Sequence, residues 1–198
     1  MRPVRQNGVA RRETLLDAAL ECFERRGLLR TGIEDVRKAA RASPSSVYHL
    51  FPDFPALIAA LLERTFTRLI SHITARVLAN KTPRTAVRAL VEAHLMWVFE
   101  HESEARFMYQ AVALELDGHH RTALLATKLR LKAELMTHLR KLGVFSGTSW
   151  PEAMADVVLL GPAHQACRAY LAAPDNTARA WMQATLPELA WRSARTKP

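Results

Sequence analysis

Residues 31–51, TGIEDVRKAARASPSSVYHLF, predict two short helices joined by a tight corner. Thr31 and Glu34 have the S/T-x-x-E spacing of a capping box, which predicts that the first helix begins here. Ser43 followed by Pro44 predicts the start of the second helix, because serine is a favoured N-cap and proline is tolerated at the first helical position. This organisation is typical of a helix-turn-helix, although any helical hairpin shares it.

The second helix carries side chains suited to contact with DNA. Small polar side chains allow a helix to approach base-pair edges closely, and hydroxyl or aromatic tips reach phosphates and thymine methyl groups. The spacing predicts that Val47 and Phe51 turn inward. The side chains expected to face outward and read DNA are Ser45, Ser46, Tyr48 and His49.

Three spaced motifs run through this part of the chain. The first has the pattern AA-x-x-x-F-x-x-x-G, the second pairs a threonine with an alanine, and the third has the pattern S-x-x-x-x-Y-x-x-F. Their residues are Ala18, Ala19, Phe23 and Gly27, then Thr31 and Ala39, then Ser43, Tyr48 and Phe51. In these motifs residues 12–57 resemble the amino-terminal region of the TetR family of one-component transcriptional regulators.

The resemblance implies an all-α, nine-helix TetR-like architecture. Residues 1–52 would form a three-helix, helix-turn-helix DNA-binding domain with a basic amino-terminal arm, and residues 53–198 a helical effector-binding and dimerisation domain. The implied DNA-binding residues are Thr31, Arg41, Ser43, Pro44, Ser45, Ser46, Tyr48 and His49. Among them, Thr31, Arg41 and the arginines of the arm would hold phosphates.

Three positions depart from the family pattern. Arg41 stands where the turn usually has glycine, Ser45 where the third helix often has glycine or alanine, and Phe54 where a basic residue is usual. Since glycine adopts positive φ without strain, the turn is expected to hold Arg41 or a neighbour in an unusual conformation. These departures leave open which groups contact DNA.

Composition favours a mostly helical globular protein. The 198 residues are 49% hydrophobic and include only 7 glycines. The formal net charge of +9 favours polyanionic partners. Because residues 1–55 contribute +3 and residues 56–198 contribute +6, charge alone is weak support for DNA binding at one end.

Apolar periodicity and capping residues place the remaining helices. A helix over 9–26 follows a basic arm, residues 2–12, that is expected to be flexible; the arm either meets DNA or is a solvated tail. Asp53 is the expected N-cap of a long helix reaching residue 80, Thr82 marks the start of the next helix, and Asp175 or Asn176 caps the last. Further helices are expected at 83–100, 103–116, 119–142, 150–171 and 176–193, the last one interrupted at Pro187.

The resemblance assigns dimerisation to the last two long helices, residues 150–171 and 176–193. In the family these helices form a four-helix bundle with a second subunit. Ala155, Gly161 and Ala163 are small residues that permit close helix approach. The alternative is that the apolar stripe that contains these residues belongs to the core of a monomer.

The middle helices mix aromatic and sulfur-bearing residues with isolated polar ones, as small-molecule pockets do. The candidate ligand-binding residues are His94, Trp97, Phe107, Gln110, His164 and Tyr170. The alternative for each is an ordinary place in the core. The basic run 128–132, with Arg140 and Lys141, either favours an anionic effector or is a solvated face.

The sequence offers no catalytic, metal or cofactor motif. The G-x-S-x-G elbow, H-E-x-x-H, C-x-x-C and glycine-rich phosphate loops are all absent, which argues against an enzyme and against a bound metal. Cys22 and Cys167 lie in apolar helical patterns, so buried thiols in a reducing compartment are expected. Without a signal peptide or an apolar run of membrane length, we expect a cytoplasmic protein.

These features lead to a functional hypothesis. The chain is expected to be a dimeric, ligand-responsive repressor that binds a palindromic DNA operator and is released by a small molecule in the carboxy-terminal domain. The alternative is a helical sensor or interaction protein of the same fold that does not bind an operator. The effector, the operator sequence and whether the ligand releases or recruits DNA do not follow from the sequence.

Overall fold

A computed structural model describes residues 3–112 and 118–195. Over these residues the chain forms nine α-helices and no β-strand, so the all-α prediction is confirmed. The helices are α1 (Pro3–Arg26), α2 (Ile33–Ala39), α3 (Pro44–Leu50), α4 (Phe54–Leu78), α5 (Pro83–Glu100), α6 (Glu102–Ala111), α7 (Gly118–Lys141), α8 (Gly161–Ala172) and α9 (Asn176–Ala194).

The chain divides into two compact units. Unit 1 contains residues 1–65 and 103–127, and unit 2 contains residues 66–102 and 128–198. Helices α4 and α7 therefore each contribute residues to both units.

Unit 1 is built around the buried face of α1. Leu15, Leu16 and Ala19 are completely buried there, at the i, i+1, i+4 spacing of an amphipathic helix. Phe23 continues this face and stacks on Phe107 of α6 with ring centroids 5.3 Å apart. The first three helices thus rest on a continuous apolar core.

Unit 2 is organised around α5, whose buried residues lie on nearly all sides of the helix. Such a helix belongs in the interior of a helical bundle rather than on its surface. Helix α9 packs along it, with Met182, Leu186 and Ala190 buried. Side chains in the centre of this unit are therefore removed from water, including the polar His94.

Three predicted N-caps are confirmed. The Asp53 carboxylate accepts from the backbone N–H of Ala56 at 2.7 Å. The Thr82 hydroxyl accepts from Thr85 N–H at 3.2 Å. Asp175 accepts from the first turn of α9. Each cap satisfies amide groups that lack partners within the helix, which is why these residues mark the helix starts.

The amino-terminal arm differs from the prediction. It was expected to be flexible as far as residue 12, but α1 begins at Pro3. Proline is compatible with the first turn of a helix, and Gly8 lowers helix propensity without preventing helix continuation. The predicted end of α6 at Leu116 lies outside the described residues.

The prediction of one continuous helix over 150–171 is wrong in detail. A 3-10 turn (Glu152–Met154) and a π-helical turn (Asp156–Leu160) precede the regular helix α8. Pro162 supplies the physical reason, because it lacks the N–H that would continue the α-helical ladder and its ring collides with the preceding turn. The chain accommodates the extra residue of the π turn just before this proline.

The predicted interruption at Pro187 is also wrong, since α9 runs through it. A proline removes one hydrogen bond and bends a helix, but packing of its neighbours can offset that cost. Leu186, Pro187 and Ala190 are all buried in unit 2. Burial of this apolar face keeps the helix intact.

No single helix among the described residues is long and apolar enough to cross a membrane. The bent pair Pro44–Leu50 and Phe54–Leu78 reaches that length and composition only when its two helices are taken together, and they meet at 62°.

Candidate functional site

The corner between α2 and α3 is formed by local hydrogen bonds. The Gly32 N–H donates to the Asp35 carboxylate at 2.9 Å and fixes the start of α2. This bond lowers the pKa of Asp35, and the nearby Arg26 charge lowers it further. The capping box predicted at Thr31 and Glu34 is therefore displaced by one residue. Either acidic residue has the spacing to cap a neighbouring amide, and the sequence does not distinguish between them.

Arg41 makes the turn possible by adopting φ of 48°. A residue with a Cβ pays a steric cost in this left-handed region, which glycine would avoid. The expectation of an unusual conformation at this position is confirmed. Ser43 then caps α3, as predicted, by accepting from Ser46 N–H at 3.3 Å.

Helix α3 presents polar side chains outward over an apolar anchor. Val47 is completely buried and Phe51 is 2% exposed, so these two residues fix the orientation of the short helix. The exposed or half-exposed residues are Arg41, Ser43, Pro44, Ser45, Ser46, Tyr48 and His49. Seven of the eight predicted DNA-binding residues therefore lie on one accessible segment, and this segment is the candidate DNA interface.

Thr31 differs from that prediction. It is only 6% exposed, and its hydroxyl donates to the Gly27 carbonyl at 3.0 Å. With the side chain turned toward the end of α1, it supports the corner instead of presenting an oxygen to a phosphate. The sequence pattern did not distinguish these roles, because a threonine before a helix commonly serves either one.

Helix α1 also reaches the interface. Arg11 Nε donates to the Ser46 hydroxyl at 3.2 Å, and the Arg12 guanidinium lies 5.8 Å from the centre of the Phe51 ring. Both arginines belong to the basic stretch predicted as a flexible arm. Because that stretch is helical, these two cations are held beside α3.

A carboxylate at this interface was missed as a functional group. Glu34 accepts from Arg37 at 2.8 Å and from the Tyr48 hydroxyl at 3.3 Å; we call these three residues the Glu34 network. The hydrogen bond from Arg37 lowers the pKa of Glu34. The signal in the sequence was the i, i+3 spacing of Glu34 and Arg37, which predicts an ion pair on one helix face.

Phe54 has a structural role in unit 1. Its ring meets Phe23 edge to face, with centroids 6.0 Å apart. The position where the family pattern has a basic residue therefore holds a half-buried aromatic side chain that packs on Phe23 of α1.

The candidate ligand-binding residues are divided between the units. Phe107 is buried in unit 1 against Phe23, and Gln110 is exposed on α6 in the same unit. His94, Trp97, His164 and Tyr170 belong to unit 2. Within it, Trp97 stacks on His101, and Tyr170 donates to Glu102 at 3.0 Å.

The structure brings His94 and His164 together. Their rings meet at 81° with centroids 4.7 Å apart. His94 is fully buried, and burial together with the neighbouring His164 lowers its pKa to about 3. Asp156 and Lys132 act electrostatically on both rings. We call these four residues the His94 cluster.

An opening in unit 2 lies beside this cluster. It is a cleft of about 660 Å³ lined by α7, by the non-α-helical segment before α8, and by side chains from α4 and α5. Lys132 and Asp156 belong both to its wall and to the His94 cluster, and their Nζ and Oδ1 atoms are 2.7 Å apart. None of the six candidate ligand-binding residues is among those that line this α7 cleft. The periodicity of apolar residues does not predict where the interior of a helical unit opens.

The fold and the exposed α3 define a class, the all-α proteins with an amino-terminal helix-turn-helix. Residues 15–61 match the family model described as "Bacterial regulatory proteins, tetR family". The resemblance to the TetR family is therefore confirmed.

Comparison with individual proteins agrees with this. The chain is 36% identical over 85 residues to the HTH-type transcriptional regulator BetI of Burkholderia lata; the match covers 42% of this chain and 44% of that relative. The chain thus spans less than half the length of this curated relative.

Solved structures are similar over nearly the whole chain. A TetR family transcription regulator from Marinobacter aquaeolei VT8 has a TM-score of 0.75 and 16% identity, covering 96% of this chain and 98% of that one. The transcriptional regulator FadR from Bacillus subtilis, in complex with stearoyl-CoA, has a TM-score of 0.72 and 12% identity, covering 91% and 98%. At these identities the likeness shows the fold alone.

Proposed function

We propose that this protein is a ligand-responsive DNA-binding transcriptional regulator that acts as a repressor from a palindromic operator. The observation that carries the proposal is the outward presentation of α3, in which buried Val47 and Phe51 anchor a row of exposed polar side chains. A short helix held in this way fits the major groove of DNA. We assign the protein to the cytoplasm, where such a regulator meets its DNA.

The DNA contacts follow from side-chain chemistry. Ser45, Ser46, Tyr48 and His49 read base edges or adjacent backbone from α3. Arg41 and the arginines of α1 neutralise phosphates, which position the protein without reading sequence. When DNA binds, Arg37 leaves the Glu34 carboxylate and pairs with a phosphate. Arginine makes strong, charge-assisted hydrogen bonds to phosphate.

Dimerisation through the last two helices is supported by the surface of unit 2. Trp181 is 56% exposed and Leu189 is 40% exposed on α9. Small residues Ala169, Ala172 and Ala180 are exposed on α8 and α9 and would allow a second pair of helices to approach. An exposed tryptophan flanked by alanines is the kind of apolar surface that marks an association site.

The effector response is the remaining part of the proposal. The similar FadR structure contains stearoyl-CoA, and in this chain we take the α7 cleft as the effector site. A ligand that binds one conformer more tightly shifts the population toward it and so changes DNA affinity. Helices α4 and α7 contribute residues to both units and are the elements on which such a shift would act.

A second candidate function is a sensor or interaction protein that keeps the fold without binding an operator. The Glu34 carboxylate at the interface favours it, since a negative charge there repels phosphates. Phe54, at a position where a basic residue is usual, also favours the sensor, because it offers no positive charge to a phosphate.

Selection of duplexes from a random-sequence pool, followed by gel-shift titration at fixed salt, tests the regulator. We expect a palindromic duplex to be enriched and Tyr48→Ala to weaken its binding about ten-fold or more. Leu29→Ala, which changes an exposed residue of unit 1 outside α3, serves as the control. Recovery of no preferred duplex, with normal circular dichroism, favours the sensor.

The dimer is tested separately by light scattering after size exclusion. We expect the mass of two chains for the native protein and of one chain for Trp181→Glu, because a charge cannot be buried at the association surface without a partner. Leu125→Glu, an equally exposed apolar position on α7, is expected to leave the dimer intact. A native monomer would remove the palindrome from the proposal.

A further inference from the structure

The α7 cleft is bordered by two ion pairs that join α7 to the segment preceding α8. Lys132 pairs with Asp156 at 2.7 Å. Arg140 donates through Nε and Nη2 to the Glu152 carboxylate, the Nε contact being 3.1 Å. Since Lys132 and Arg140 are eight residues apart on one helix, the two pairs stand about 12 Å from each other along the cleft.

Between these pairs the walls are apolar. Twelve of the seventeen lining residues carry hydrocarbon or thioether side chains, and of the remaining five, four form the two ion pairs. A volume of about 660 Å³ is ordinary for a ligand pocket. The occupant that such walls favour has a hydrocarbon body.

The two ends of the cleft differ in charge. At the Arg140 end one cation faces one carboxylate. At the other end two lysines, Lys128 and Lys132, act on His164 together with the Asp156 carboxylate. Burial lowers the pKa of His94 and of His164, so these rings add no charge at neutral pH. The Lys132 end therefore carries an excess of positive charge in partly buried surroundings.

Lys128 is half-buried near this end of the cleft. Its Nζ lies 4.5 Å from the centre of the Phe66 ring, a cation–π contact made inside unit 2. Burial lowers the pKa of Lys128, and the charge of Lys132 lowers it further. A second carboxylate near Lys132 would relieve the repulsion between these two ammonium groups.

We propose that the α7 cleft binds an amphipathic monoanion, a hydrocarbon chain with a carboxylate headgroup that takes the place of Asp156 beside Lys132. This assignment rests on the proposed regulator only in naming the class of its effector. A cationic headgroup would add to an existing excess of positive charge. An uncharged headgroup would leave the Lys132–Asp156 pair intact and would gain nothing from it.

Calorimetric titration of the full chain with three ten-carbon probes tests the headgroup. The probes are decanoate, decanol and decyltrimethylammonium, which share a tail and differ in charge. We expect decanoate to bind about ten-fold more tightly than the other two, because a charge-assisted contact to a partly buried ammonium exceeds any contact open to them. Equal or tighter binding of decyltrimethylammonium overturns the proposal, as does failure of all three to bind.

Two substitutions at the ion pair sharpen the test. Lys132→Met is expected to weaken decanoate binding about ten-fold and to leave decanol binding unchanged. Asp156→Asn is expected to strengthen decanoate binding several-fold, since it removes the carboxylate that competes for Lys132. Weaker decanoate binding by Asp156→Asn would show that Asp156 itself holds the ligand, and the proposal would fall.

Matched variants locate the binding. Lys141→Met removes an exposed cation from the same helix outside the cleft wall and is expected to change nothing. Ala133→Trp places a large side chain at an exposed wall position, so folding is expected to persist, as circular dichroism would verify, while decanoate and decanol both lose affinity. Unchanged binding by folded Ala133→Trp excludes the cleft.

These measurements contain no DNA, so the two proposals fail separately. Decanoate binding without any preferred duplex would keep the cleft assignment and remove the regulator. Enrichment of a palindromic duplex sensitive to Tyr48→Ala, with no decanoate binding, would keep the regulator and remove this class of effector.

Discussion

The Glu34 network of unit 1 and the His94 cluster of unit 2 contain similar chemistry in different surroundings. Each includes a carboxylate paired with a cation, at 2.8 Å between Glu34 and Arg37 and at 2.7 Å between Asp156 and Lys132. Glu34 lies at an exposed helix surface, whereas the second pair adjoins the completely buried His94. The side chains of the two ion pairs are about equally exposed to solvent, so the two sets differ in the buried histidine that only the second contains.

The difference teaches what each set can do. An exposed ion pair contributes little to folding, so its members are available to exchange partners with a polyanion. A cluster that reaches the interior couples to folding and to pH, because burial penalises the charged form of each member. The same residue types are therefore proposed to support surface recognition in one unit and ligand binding in the other.

The largest expected contrast between the two regions is in salt dependence. Affinity for a 30-base-pair duplex should fall by about a thousand-fold between 50 and 200 mM salt, as several phosphate contacts release counterions. Decanoate binding at the α7 cleft should change by less than about three-fold, because a single carboxylate makes one ionic contact and releases no counterion atmosphere like that of DNA. Fluorescence anisotropy and calorimetry across the same salt series measure both. A flat DNA response would contradict the phosphate contacts assigned to Arg41 and α1.

The next effect concerns the buried histidine. The pKa of His94 is lowered from 6.5 to about 3, so its contribution to stability is complete above pH 6.5 and is lost as pH falls toward 3. In urea unfolding, the native protein should lose free energy of unfolding between pH 7 and pH 5, and His94→Leu should lose about 2 kcal/mol less. His49→Leu, whose ring is exposed on α3, should keep the native pH response. Equal pH responses of His94→Leu and the native protein would contradict the buried, neutral ring.

A smaller effect is expected from the carboxylate at the DNA interface. Glu34→Gln retains a hydrogen-bond acceptor for Tyr48, removes the negative charge and releases Arg37 for phosphate. Binding to a random-sequence duplex should tighten about five-fold. Glu21→Gln makes the same charge change at an exposed pair on α1 and is the control in the same titration. Equal gains in both variants would indicate net charge instead of position.

The smallest effect concerns the turn. Arg41→Gly removes the steric cost of φ at 48° and should raise the free energy of unfolding by about 0.5 kcal/mol, net of the entropy gained by the unfolded chain. Loss of one phosphate contact should also reduce, by about 1, the slope of the logarithm of DNA affinity against the logarithm of salt concentration. Arg30→Gly, the same change at an exposed position without positive φ, should destabilise instead. Lower thermal stability of Arg41→Gly would show that the arginine side chain compensates its backbone strain.

The helix starts could be predicted because their signals are local. Ser43 and Pro44, Thr82 and Asp175 each act on amides within three residues, and those amides lie in the same few letters of sequence. The displaced capping box at Gly32 shows the limit of such signals. Glu34 lies three residues after Thr31, and Asp35 lies three residues after Gly32, so both fit a capping box. The tertiary contact of Arg26 with Asp35 favours the second.

The interface on α3 could also be predicted, whereas the cleft could not. Exposure of a short helix follows from its own apolar period, so Val47 and Phe51 identified the opposite face. The α7 cleft depends on how side chains from four parts of unit 2 leave a gap between them, which no local period encodes. For that reason His94 and Trp97 were expected to line a pocket and instead lie in packed interior positions.

The π-helical turn at Asp156–Leu160 gives this region an unusual tolerance to change in length. A π turn holds one residue more than an α turn, so deleting Val158 would let the segment close as a regular helix without disturbing the residues after Gly161. Because the π turn absorbs one extra residue, the residues on either side of the deletion would keep their direction and Asp156 would still face Lys132. A deletion within the regular helix α7 would instead rotate the residues before it by about 100°, so the π turn is the place where this side of the cleft can lose a codon without being redirected.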